Sequence, residues 1–200
     1  MKRIGITGGI GSGKSCVSAI LQRYGIPVYD CDSNAKTLMG SDISLQAALN
    51  SVSGTDMFPL GKLDRERMAA FVFASAGNAA AVNGIVHPAV KADFERWCSG
   101  LEVSGCELCA VESAILFGSG LEECVDCVVM VDAPEEVRLE RAVKRDSSTR
   151  EKIAERMRSQ TCADELRRSA DFVVDNSGDE ATLEANVTEL LNNIRSIKIG

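Results

Sequence analysis

Apolar residues in this chain come in short runs that stop at a carboxylate, with helical patterns between them. Arg3-Ile4-Gly5-Ile6-Thr7 predicts a first strand, after which Val17, Ile20, Leu21 and Tyr24 repeat at i, i+3, i+4 and i+7. Ile26-Pro27-Val28-Tyr29 predicts a second strand ending at Asp30. Leu108-Cys109-Ala110-Val111 leads to Glu112, the run from Val125 to Val131 to Asp132, and Phe172-Val173-Val174 to Asp175-Asn176. Strands alternating with helices imply a parallel sheet covered on both faces. Ligands of such sheets gather at the carboxyl ends of the strands, which is where these acids fall.

Local signals place the remaining elements. Asp132-Ala133-Pro134-Glu135-Glu136 carries the proline and acids of a first helical turn. Ser148-x2-Glu151 has the spacing of a capping box opening the next helix. Leu183, Val187, Leu190, Leu191 and Ile194 share one face of a last helix, most simply a core face. Residues from about Asp32 to Gly100 break the alternation. They read as a mainly helical insertion between strands two and three, with Ser51 to Gly61 its most loop-like stretch.

The first strand runs into Gly8-Gly9-Ile10-Gly11-Ser12-Gly13-Lys14-Ser15, the Gly-x4-Gly-Lys-Ser pattern of a phosphate-binding loop. The glycines let the backbone wrap closely, so N–H groups from Gly8 through Cys16 point at a phosphate chain. Lys14 then reaches the β/γ-phosphates and the Ser15 hydroxyl sits on Mg²⁺. The following helix adds its positive end. The pattern implies a nucleoside triphosphate and Mg²⁺ and leaves the acceptor open.

Composition changes this picture in three places. Two hundred residues suit one compact domain, and only 4% are aromatic, so aliphatic side chains must fill the core. A net charge of −7 argues against a general nucleic-acid binder. Yet ten of the 22 Lys and Arg residues lie between Arg138 and Arg168, against six acids. Arg138, Arg141 and Arg145 share a helix face there, and Arg156 and Gln160 follow. Planar, always-charged guanidinium groups suit phosphoryl oxygens, so the segment reads as a mobile lid over ATP rather than a merely solvated face.

The basic start Met1-Lys2-Arg3 is not followed by a secretory apolar core, and no run approaches a membrane span; the expected location is cytosolic. Eight cysteines are then expected as mostly free thiols. Cys106-x2-Cys109 and Cys124-x2-Cys127 have zinc-ribbon spacing, but Cys109 and Cys127 lie in strand-like runs. Residues i and i+3 of a strand face opposite ways, which favours small buried hydrophobes over a zinc site.

Candidate chemistry concentrates at strand ends. In Asp30-Cys31-Asp32, one carboxylate can cap the next helix while the other accepts a hydroxyl proton or orients Mg²⁺ waters; Asp32, further from the strand, is the expected base. Glu112 occupies the position of a Walker B acid, which reaches Mg²⁺ through water, or is simply a solvated strand end. His87, the single histidine, precedes Pro88, a pair that predicts a helix break. Trp97, the single tryptophan, is expected to pack.

These residues together resemble the dephospho-CoA kinase family. Gly5 through Ser15 is similar to its opening and Asp30-Cys31-Asp32 to its Asp-x-Asp. Leu63-Asp64-Arg65, Val86-His87-Pro88, Arg145-Asp146 with Arg156 and Gln160, and Ala170-Asp171 through Asp175-Asn176 follow in the family's order. The resemblance implies transfer of the ATP γ-phosphoryl group to the ribose 3′-hydroxyl of dephospho-CoA, with partners limited to these two molecules, no nucleic acid and no membrane; it leaves the oligomeric state open. It implies a P-loop NTPase α/β sandwich with a parallel sheet. The nucleotide-binding core would comprise residues 1–31, 101–137 and 170–200, the helical acceptor-binding insertion 32–100 and the helical lid 138–169. It assigns Asp32 as general base, Lys14 and Arg145 as catalytic cations, Arg141 to the nucleotide, and Asp30, Asp32, Arg65 and His87 to the acceptor. Ser15 and Glu112 would serve the metal.

Two positions depart from the family. Cys16 stands where it carries Thr, and Gly118 ends Ala114-Ile115-Leu116-Phe117-Gly118 where it carries Glu. Glu122 and Glu123 are the nearest carboxylates that could compensate. The alternative reading is another small-molecule P-loop kinase for nucleosides or nucleotides. A GTPase lacks support because no Asn-Lys-x-Asp segment is present; a nucleotide-binding protein without catalysis is a further class.

Overall fold

The computed structural model describes residues 1–160 and 162–196. Five strands form one parallel sheet: β1 (Lys2–Thr7), β2 (Val28–Asp30), β3 (Leu108–Glu112), β4 (Cys127–Asp132) and β5 (Phe172–Asp175), in the order β2-β3-β1-β4-β5. The helices are α1 (Lys14–Arg23), α2 (Cys31–Ser41), α3 (Ile43–Ser53), α4 (Arg65–Ala74), α5 (Ala76–Val103), α6 (Glu135–Asp146), α7 (Arg150–Arg158), α8 (Ala163–Ser169) and α9 (Glu180–Ser196). Every strand predicted from the apolar runs is present. β2 and β4 start two residues later than the runs, at Val28 and Cys127.

Each face of the sheet has its own core. On one face Ile4, Ile6, Val129, Val131 and Val174 pack with Val17, Ile20 and Leu21 of α1 and Leu183, Val187, Leu190, Leu191 and Ile194 of α9. The predicted apolar face of the last helix is therefore this core face. On the other, Tyr29, Cys109, Val111 and Val128 meet Val90, Phe94 and Cys98 of α5. Burying one such aliphatic or aromatic side chain contributes about 1.5–3 kcal/mol relative to exposure. Trp97 packs as expected, its ring 5.5 Å from Tyr29 and 6.0 Å from Phe94.

The insertion between β2 and β3 is helical, as its pattern predicted, and has a small core of its own around Leu45, Leu49, Met57, Phe58 and Val82. The His87-Pro88 pair does not break it. α5 runs through Pro88 for 28 residues. Proline removes one intrahelical donor, but Val90, Phe94 and Cys98 beyond it are held in the sheet-facing core, so tertiary packing outweighs the local signal. A second local expectation shifts by one residue: the side chain of Thr149, not Ser148, caps α7 by accepting from the Lys152 N–H.

The cysteines divide between the two faces. Cys109 lies in the α5-side core with its sulfur 4.0 Å from that of Cys98, whereas Cys127 packs against the α1/α9 core. β1 separates their strands. No described helix is long and apolar enough to cross a membrane.

Candidate active site

β1 ends at Thr7 and residues 8–13 wrap the start of α1, whose N-cap is Gly13 at φ 93° with no side-chain cap. The Ser12 N–H donates to Gly9 O at 3.2 Å. The N–H groups of Gly11, Gly13, Lys14 and Ser15 have no acceptor among the described residues, so a cluster of donors stands at the positive end of α1. Lys14 Nζ donates to Gly8 O at 2.8 Å and Gly9 O at 3.4 Å, which leaves one ammonium hydrogen for an anion. Burial lowers the Lys14 pKa, opposed by the charges of Glu112 and Asp32 and reinforced by Arg145 and Arg138.

The cationic segment comes back over this loop. A Cβ on Gly9 would collide with the Arg138 guanidinium, and one on Gly11 with the Arg138 carbonyl, so two loop glycines make room for α6. The Ile10 N–H donates to Gln160 Oε1 at 2.7 Å. Arg145 Nε and Arg156 Nη1 both donate to Asp146, at 2.7 and 2.8 Å, and these pairs hold the Asp146 carboxyl down at about 2. Arg141 is differently placed: its Nη1 donates to the Asn176 carbonyl at 2.8 Å.

The acids line the carboxyl edge of the sheet. Asp30 on β2 is in register with Glu112 on β3, and Asp132 on β4 with Asp175 on β5. Asp30 caps α2: its Oδ1 accepts from the N–H groups of Asp32 and Ser33 at 3.0 and 3.2 Å, and its Oδ2 from Ser33 Oγ at 2.6 Å. Asp32 is exposed, and its carboxylate accepts no hydrogen bond among the described residues. Glu112 Oε2 accepts from Ser18 Oγ at 2.6 Å; burial nonetheless pushes its pKa above the usual range.

Next to Asp32 lies a cavity of about 260 Å³ with mostly apolar walls, including Met39, Met68, Val82 and Val86. His87 and Asn83, one helical turn apart on α5, are among its polar lining groups. Burial lowers the His87 pKa. The structure thus brings Asp32 and His87 together. Arg65 is not brought to them: it starts α4, exposed and outside the cavity lining.

The donors present suit a Mg²⁺ ion bound chiefly through phosphate. Among the described residues no three His, Cys, Asp or Glu side chains converge on a metal position. Mg²⁺ keeps several waters and takes one or two carboxylates plus phosphate oxygens. Glu112, a half-buried carboxylate with one hydroxyl donor, and Ser15, in the first turn of α1, form such a sparse set.

Residues 2–182 match the family model described as dephospho-CoA kinase. The chain belongs to the dephospho-CoA kinase family. A Porphyromonas gingivalis dephospho-CoA kinase is 49% identical over 88% of this chain and 87% of its own length. The crystal structure of TT1252 from Thermus thermophilus superposes with a TM-score of 0.82 at 33% identity, covering 96% of this chain and 97% of that one. A dephospho-CoA kinase from Campylobacter jejuni, at 23% identity and a TM-score of 0.72 over 97% and 98% of the two chains, shares the fold.

Within the dephospho-CoA kinase family this chain's two departures have local settings. Gly118 has φ 80°, a conformation side chains rarely adopt, and its N–H donates to Glu122 Oε1 at 2.9 Å. Glu123 instead pairs with Lys91 at 2.9 Å. Cys16 is exposed in the first turn of α1. Sequence reasoning missed Ser18, Asn83 and the contacts of Asn176. Asn83 stands at i−4 from His87, a helical spacing that could have flagged it; Ser18 and the Asn176 contacts depend on pairings across the fold.

Proposed function

We propose that this chain transfers the γ-phosphoryl group of ATP to the ribose 3′-hydroxyl of dephospho-CoA, giving coenzyme A and ADP. The observation that carries the reading is Asp32. It lines the apolar cavity, it bears electrostatically on Lys14, and its carboxylate is not engaged in capping. A base that spans the donor loop and an adjoining cavity is what phosphoryl transfer to a bound alcohol requires. The insertion 32–100 then serves the acceptor, residues 138–169 the closing lid, and the remaining segments the nucleotide.

The ribose O3′ attacks the γ-phosphorus, the bond from that phosphorus to the ADP oxygen breaks, and the hydroxyl proton passes to Asp32. Loop N–H groups from Gly8 to Cys16 and the Lys14 ammonium hold the donor phosphates. Arg145 faces the charge that accumulates in transfer, where a fixed cation lowers the barrier most. Arg141 acts on the nucleotide indirectly, through Asn176. Mg²⁺, when bound, supplies charge neutralisation on the phosphates, and Ser15 and Glu112 would hold it. His87 and Asp30 belong to the acceptor side, His87 in the cavity wall and Asp30 by orienting α2; Arg65 would reach the acceptor only outside the cavity. Both substrates are soluble, which suits a cytosolic enzyme.

An acceptor panel tests this. With Mg-ATP, CoA formation from dephospho-CoA should exceed phosphorylation of any nucleoside or nucleotide. Preferential phosphorylation of one of those instead would replace the reading with the other kinase class.

A further inference from the structure

β5 ends at Asp175, and the next residue, Asn176, is 6% exposed and joins three elements. Its backbone N–H donates to Asp132 O at the end of β4 at 2.7 Å. Its carbonyl accepts from Arg141 of α6 at 2.8 Å. Its side-chain Nδ2 donates to Ser12 O at 2.8 Å, a buried bond between residues 164 apart in sequence. A Cβ on Gly13 would collide with this same amide.

In a planar trans peptide the carbonyl and the N–H point in opposite directions. Fixing Ser12 O on Asn176 therefore turns the Gly13 N–H away from β5, and that N–H has no acceptor among the described residues. Gly13, at φ 93°, is the residue of the loop N-cap least restrained by its own side chain. We infer that Asn176 is a positioning residue for the donor phosphates, holding the Ser12–Gly13 peptide so that the Gly13 N–H faces the anion. Arg141 completes the clamp by tying α6 to the Asn176 carbonyl. The inference rests on the proposed kinase reading only for the use of the loop by a nucleotide; it does not depend on the acceptor.

Binding of Mg-ADP to the full chain tests it without an acceptor. Asn176→Ala leaves the buried Ser12 carbonyl unpaired and frees the peptide, so the Kd for ADP should rise about tenfold to a hundredfold. Asn176→Asp, which sets two acceptors against each other, should raise it further. KM for ATP should follow, while KM for dephospho-CoA stays unchanged. In the ¹⁵N-labelled native chain, the Gly13 amide should shift on adding Mg-ADP, a readout that needs no variant. Unchanged ADP affinity in folded Asn176→Ala, equal losses for both substrates in step with lost thermal stability, or a Gly13 amide that stays in place would each overturn the inference. Intact ADP binding without CoA formation would instead count against the proposed acceptor.

Discussion

Asp30 and Asp32 sit two residues apart in different settings, and one holds the other: Asp30 Oδ1 accepts the Asp32 N–H at 3.0 Å while Asp32 lines the apolar cavity. Substitution should therefore separate them. Asp32→Asn is expected to lower kcat by about 10²–10⁴ with ADP affinity retained, the range for loss of a general base. Asp30→Ala should lower stability by about 1 kcal/mol through the lost cap, with a smaller effect on kcat. Steady-state kinetics and denaturant unfolding on the two variants check the pair.

Arg145 bears electrostatically on Lys14 and is oriented by Asp146, which also holds Arg156. Arg145→Ala should cost about 10³-fold or more in kcat if it acts as the transferring-phosphate cation. Arg145→Lys should recover little, because lysine lacks the planar fork that meets both Asp146 and phosphate. KM for dephospho-CoA should change little in either; kcat and KM measured together distinguish this from a binding defect.

Gly11 has φ 75° and faces the Arg138 backbone, whereas Gly9 faces the end of the Arg138 side chain. Gly11→Ala should be the more damaging, by about 1–3 kcal/mol, since both its dihedral and its neighbour resist change. Gly9→Ala should be tolerated in stability, because the guanidinium can move, but should disturb lid placement. Thermal unfolding and ATP KM on both variants report the contrast.

The His87 pKa is held below its ordinary value by burial in the cavity wall. The folded chain therefore prefers neutral His87, and its unfolded chain takes up the proton first as pH falls. The contribution to stability is complete above the ordinary value near 6.5 and is lost as pH drops through the folded one. Compared with His87→Gln, the native chain should lose stability between about pH 6.5 and the lower folded pKa. Paired urea titrations across that range measure the difference, from which all other titrating groups cancel.

Much of this was legible in the chain. β1, α1, the strand-end acids and the α9 core face follow from short-range patterns, and capping rules anticipate that one acid of Asp30-Cys31-Asp32, Asp30, caps α2. What escaped local reading depended on distant partners. Pro88 stays inside α5 because core residues beyond it are held against the sheet. Arg141 shares a helix face with Arg138 and Arg145, yet the turn after β5 brings the Asn176 carbonyl to it first. Arg65 matches a family motif, but its side chain points to solvent and lies outside the cavity wall. Spacing reports which residues share an element and says less about what another element sets against them.

The most direct test of the central claim is where the phosphoryl group lands. The product of Mg-ATP and dephospho-CoA with the native chain should show a new ³¹P resonance coupled to the ribose H3′ proton, with one ADP formed per phosphate transferred. Coupling to H2′ instead, or ADP release without a new phosphate ester, would contradict the account.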